Sequence, residues 1–138
     1  MSLTRPIAVL GALLVLPGAA CAERVNDPQV LAEGHRLFQQ HCAVCHGSEA
    51  QGLVAEWKKP GADGNYPPPP LNGTAHAWHH PFSQLARVVR DGTAKLGGNM
   101  PAWGETLSTE QIETTLHYVI SLWPEDIFRG WEERGGYE

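Results

Sequence analysis

The chain has 138 residues, enough for one small domain, with 18% charged residues, three cysteines and a formal charge of −5. That negative balance argues against nucleic acid or an anionic membrane as a partner, because both carry the same sign. A peptide core of this size is marginal on its own, so any tightly held apolar group would add to it.

The first residues do not belong to the fold. Arg5 is a short basic region, and Ile7 to Leu16 is an apolar run too short to span a membrane. Pro17-Gly18 breaks the run and small residues follow, so residues 1–22 read as a secretory signal peptide. Cleavage would follow Ala20 or Ala22. In the second case Cys21 is discarded; the alternative reading makes Cys21 a lipid anchor at the new N-terminus. The expected location is the periplasm, with no transmembrane segment in the mature chain.

From residue 23 the chain reads as helices joined by long loops. Asp27-Pro28 opens the first helix, with an N-cap acid and then proline at the first helical position. Val30, Leu31, Gly34, Leu37, Phe38 and His41 then recur at helical period. The helix runs into Cys42-Ala43-Val44-Cys45-His46, a C-x-x-C-H sequence. Two thiols three residues apart can add to two vinyl groups of a porphyrin, and the next residue is a histidine able to bind the iron. A bare C-x-x-C is also found in redox dithiols, zinc sites and disulfides. A zinc site wants a second pair of ligands, a thioredoxin-like site wants a βαβ pattern, and neither is present.

Ser48 to Leu71 is dominated by glycine, proline and polar residues, and Pro67 to Pro70 excludes helix or central strand. His76, His79 and His80 follow around Trp78. Three imidazoles would suit a copper or zinc ion. The simpler reading is a polar loop in which Trp78 donates to a haem propionate. Pro81 to Arg90 reads as a short helix with Phe82, Leu85, Val88 and Val89 on its apolar face and Gly92 at its C-terminal end. Gly97-Gly98-Asn99 delivers Met100, the only thioether outside the initiator. Ser108 to Gln111 carries a capping-box pattern. Ile112, Leu116, Val119, Ile120 and Trp123 form the stripe of a last helix that Pro124 ends. Residues 125–138 form a polar tail with Trp131 and Tyr137, which either wraps the domain or stays mobile.

From about Asp27 to Trp123 the chain resembles the class I, mitochondrial-type c-type cytochromes in a small bacterial single-haem form. The resemblance rests on Gly34 to Gly47 ending in the C-x-x-C-H motif, on Pro69-Pro70-Leu71-Asn72-Gly73 as a P-x-L-x-G loop, and on Gly98 to Trp103 as a Met-Pro loop. It implies an all-α fold over residues 23–124, with the N- and C-terminal helices crossing at Gly34 and Phe38 and long loops wrapping one covalent haem c. It implies attachment through Cys42 and Cys45, axial ligation by His46 and Met100, and a Pro69 carbonyl that accepts from His46. Leu71 and Trp78 would line the cofactor. The expected function is one-electron transfer, with no catalytic residue and with a dehydrogenase, a reductase or a terminal oxidase as redox partner. Three alternatives remain: a haem-based ligand sensor, an enzyme subunit, or a metal-binding protein using His76, His79 and His80. The acidic charge suggests docking on basic partner patches.

Overall fold

In a computed structural model, residues 24–138 are described; the expected signal peptide, with Cys21, lies outside the described residues. Five helices follow in order: α1 (Pro28–His41), α2 (Ala43–His46), α3 (Phe82–Asp91), α4 (Thr109–Ser121) and α5 (Glu125–Glu132). Single 3₁₀ turns lie at Ala77–His79 and Ala94–Leu96, and no strand occurs among the described residues. This is the all-α, cytochrome c-like arrangement expected from the sequence.

Local chemistry sets the helix ends. The Asp27 side chain accepts the Gln29 N–H at 2.8 Å, and Pro28 needs no donor at the first position. Ser108 and Gln111 form the expected reciprocal capping box. Gly92 closes α3 at φ 69°, a conformation unfavourable for residues with a Cβ; a side chain there would also strike the Met100 carbonyl.

The first helix crosses α4, as the resemblance implied. A Cβ on Gly34 would collide with the Thr114 carbonyl oxygen and with Tyr118 Cβ, so only glycine permits this approach. One turn further on, Phe38 is fully buried beside Ala50 and Val119, its ring 5.5 Å from that of Tyr118. Leu37, Leu107, Ile112 and Leu116 form a neighbouring cluster. The whole predicted α4 stripe, from Ile112 to Trp123, is buried.

Residues 125–138 are not a loose tail. Phe128 and Trp131 of α5 are buried with Ala77, Ile120 and Trp123 in one cluster. The indole of Trp131 donates to the His80 carbonyl at 2.8 Å, and the Phe82 N–H donates to the Gly136 carbonyl at 2.7 Å. Residues 125–138 thus pack against the preceding helices through α5. The polar composition of the segment masks three apolar residues, Ile127, Phe128 and Trp131, on one side of a short helix that opens with Glu125 and Asp126.

Candidate haem site

The C-x-x-C-H segment leaves α1 through Cys42 and forms its own turn of helix, α2. Cys42 is half-buried against Phe38, and Cys45 is exposed; both are free thiols. Burial, and then the neighbouring Cys45, push the Cys42 thiol up to about 11. A redox dithiol needs the opposite, a thiol pKa lowered by nearby positive charge.

His46 closes α2 and is 7% exposed. Its Nδ1–H donates to the Pro69 carbonyl oxygen at 2.9 Å, as the resemblance implied. Burial pushes the imidazole below its ordinary pKa, against a smaller opposing effect from Pro69. The ring is therefore neutral near pH 7, with its proton on Nδ1 and a lone pair on Nε2, the form a metal ligand takes.

The loop that supplies Pro69 is pinned on both sides. The Leu71 N–H donates to the Ala50 carbonyl at 2.7 Å, and the Leu71 carbonyl accepts from the Trp123 indole at 2.8 Å. Ala50 belongs to the turn after His46: its own N–H reaches Gly47, and the Gly52 N–H returns to the His46 carbonyl at 2.7 Å. Leu71 packs between the Phe38 and Trp123 clusters. Hydrogen bonds thus tie His46, Pro69 and Leu71 into one unit. Ala50 and Trp123 complete it, and sequence reading assigned neither this role. Ala50 carries no motif, although its φ of 54° is rare without glycine; Trp123 was read only as apolar stripe.

Met100 arrives on a different loop. Its N–H donates to Thr93 Oγ1 at 2.9 Å, and the Thr93 N–H donates to the Met100 carbonyl at 3.0 Å. Trp103 and Gly104 anchor the outgoing strand of the loop by donating to Val89 and Arg90 of α3. The Trp103 ring meets His41, the residue before Cys42, edge-on at 5.1 Å, which links this loop to the start of the C-x-x-C-H segment. No hydrogen bond joins Met100 to the His46 unit among the described residues.

Two observations test whether a haem fits. Although α3 is strongly amphipathic, it buries none of its residues; Phe82, Leu85, Ala86, Val88 and Val89 remain half-exposed. Phe82, Leu85, Ala86 and Val89 pack against the core clusters yet stay half-exposed, so part of their apolar surface, with Val88, remains for a planar apolar group. The Trp78 Nε1–H is buried with no hydrogen-bond partner among the described residues, a donor suited to an anionic propionate. The residues fit the group. The three histidines are neighbours but pair with aromatic rings: His76 stacks on Trp57 and meets His80 edge-on, and His79 lies against Trp78. Among the described residues, no group of three or more His, Cys, Asp or Glu could hold a metal ion.

An all-α unit whose short C-x-x-C-H helix presents a buried, neutral imidazole is a c-type cytochrome domain. Residues 29–119 match the family described as cytochrome C oxidase, cbb3-type, subunit III, and the chain belongs to that family. It is 33% identical over 99 residues to the cbb3-type cytochrome c oxidase subunit CcoP of Azospirillum sp. (strain B510), a match covering 72% of this chain and 31% of that protein. It is 31% identical over 137 residues to the subunit FixP of Bradyrhizobium sp. (strain ORS 278), covering 91% of this chain and 41% of that protein. A 30% match over 117 residues reaches the quinohemoprotein alcohol dehydrogenase ADH IIB of Pseudomonas putida, covering 80% of this chain and 14% of that protein. The chain thus spans about a third of the length of the first of these relatives. No solved structure matches it. The family accounts for haem c and for electron transfer as the general activity.

Proposed function

We propose that this chain carries single electrons in the periplasm through one haem c, exchanging them with a terminal oxidase. The observation that carries the reading is the buried His46 imidazole, held by the Pro69 carbonyl directly after Cys42 and Cys45. When bound, haem c supplies a ferric/ferrous couple. The Cys42 and Cys45 sulfurs would hold it covalently, and His46 Nε2 and the Met100 sulfur would bind its iron. Pro69 fixes the His46 tautomer and ring orientation. Trp78 donates its orphaned indole N–H to a propionate. Leu71 and the α3 face exclude water. The oxidase partner is supported by the relatives named as cbb3-type oxidase subunits. The periplasmic location is supported by the signal-like residues 1–22, with a lipid anchor at Cys21 as the second mode of retention. No helix among the described residues is long and apolar enough to cross a membrane.

Iron bound by both His46 and Met100 would have no open position, which separates a carrier from a ligand sensor. The ferric protein should show a weak near-infrared sulfur-to-iron band, and the ferrous protein should ignore carbon monoxide at neutral pH. Met100→Ala should remove the band, lower the potential and admit carbon monoxide. Rapid carbon monoxide binding by the unaltered protein would overturn the carrier reading in favour of the sensor. A missing band with the iron still closed would move the sixth ligand to a histidine.

A further inference from the structure

Charge is segregated along this chain. Residues 105–138 hold eight Asp/Glu against two Lys/Arg. Residues 66–104 hold three cations, Arg87, Arg90 and Lys95, against the single carboxylate of Asp91. All three cations lie close enough to Asp91 to hold its carboxyl below the ordinary range, with the Arg90 hydrogen bond the largest cause. Asp91 pairs with Arg90 at 2.9 Å. Among the described residues, Arg87 and Lys95 have no ion-pair partner. All four side chains are exposed, in α3 and the 3₁₀ turn that follows. Beside Lys95, Leu96 is 80% exposed. The turn is held to Met100 by the two Thr93 hydrogen bonds, so this patch sits on the loop that presents the sulfur.

We propose that Arg87, Arg90, Lys95 and Leu96 form the docking face for a redox partner protein that presents an acidic patch. The proposal rests on the electron-carrier reading above. Charge complementarity selects the occupant: an exposed apolar residue beside unneutralised cations matches an anionic rim around an apolar contact. The net charge of the chain is negative, which at sequence level pointed to basic partner patches. Exposed charges are screened beyond roughly 8–10 Å at physiological salt, so the charges at the contact, rather than the net charge of the chain, govern docking.

The holoprotein, reduced, can be mixed with anionic hexacyanoferrate(III) and, separately, with cationic tris(phenanthroline)cobalt(III) across a range of ionic strength. One electron leaves each ferrous protein and reduces one iron(III) or cobalt(III) reagent to its divalent state. Despite the negative net charge, the rate with hexacyanoferrate should fall as ionic strength rises. The double variant Arg87→Glu, Lys95→Glu should slow that reaction several-fold and reverse its salt dependence. The control pair Glu132→Gln, Glu133→Gln should leave it unchanged. With a poly-glutamate peptide, NMR line broadening should concentrate at residues 87–96. A hexacyanoferrate rate that rises with salt in the unaltered protein overturns the docking face alone. So does co-sedimentation with phosphatidylglycerol vesicles that the double variant loses, because the patch then serves a membrane. If neither reagent changes the haem spectrum, the carrier reading fails and the docking face falls with it.

Discussion

Thr93 holds Met100 at both of its backbone polar groups, through its hydroxyl and through its own N–H. The approach to Met100 is an exposed run of Leu96, Gly97, Gly98 and Asn99, tied back by the Leu96 and Gly98 N–H groups, which donate to the Thr93 carbonyl. Thr93→Val keeps the shape and deletes the hydroxyl. A hydrogen bond of this kind contributes about 0.5–1.5 kcal/mol net. The variant should lose roughly 1 kcal/mol by denaturant midpoint. If the Met100 sulfur must leave before an exogenous ligand enters, azide should also bind the ferric protein up to about tenfold faster. Unchanged azide kinetics would mean that Trp103 and Gly104, not Thr93, set the lifetime of the loop.

Between elements, the decisive contact is the crossing of α1 and α4. Gly34 sits mid-helix, where glycine costs about 1 kcal/mol relative to alanine. Gly34→Ala would recover that propensity and drive a methyl into the Thr114 carbonyl and the Tyr118 side chain. Overpacking of this kind costs about 1–3 kcal/mol, and here the obstacle includes backbone, which cannot rotate away. The clash should win. The melting temperature should fall by several degrees, as about 1 kcal/mol lost from a domain near 100 residues implies. A rise on calorimetry would show that the helices can part without penalty. The same crossing seats Phe38 beside Ala50, so the His46 turn should loosen with it.

For the whole molecule, α5 closes the structure. Trp131 touches Trp123 edge-on at 5.4 Å and Tyr137 at 4.7 Å, and its indole N–H holds the His80 carbonyl. Trp123 in turn donates to Leu71, in the loop that supplies Pro69. A continuous chain of contacts therefore runs from Tyr137 to the Pro69 loop that holds His46. Trp131→Ala removes a fully buried side chain, which costs about 3–5 kcal/mol, a large part of the stability of a small domain. Unfolding should shift to markedly lower denaturant in the holoprotein, while the haem spectrum under native conditions stays the same. An unchanged midpoint would make the segment after Pro124 an independent appendage.

Much of this could be read without coordinates because it depends on neighbours in sequence. Asp27 and Ser108 cap their helices through residues two and three positions away. Residues three and four apart share a helix face, which is why the α4 stripe emerged whole. The spacing Cys42, Cys45, His46 suits one porphyrin edge within a single helical turn, so the site was legible in five letters. Other features needed the fold, because their partners are distant in sequence. Pro69 lies 23 residues from His46, and the resemblance, not the spacing, foretold their bond. The Trp123 indole reaches back 52 residues to Leu71, and Trp131 reaches 51 to His80. Only packing decided that Phe128 and Trp131 join the core, because an eight-residue helix is marginal alone and gains its stability from the surface it buries. Net charge is additive over a sequence, but its placement is not. Arg87, Arg90, Lys95 and Leu96 already stand close in sequence; the fold decided that they stay exposed and that the Thr93 hydrogen bonds tie their turn to Met100.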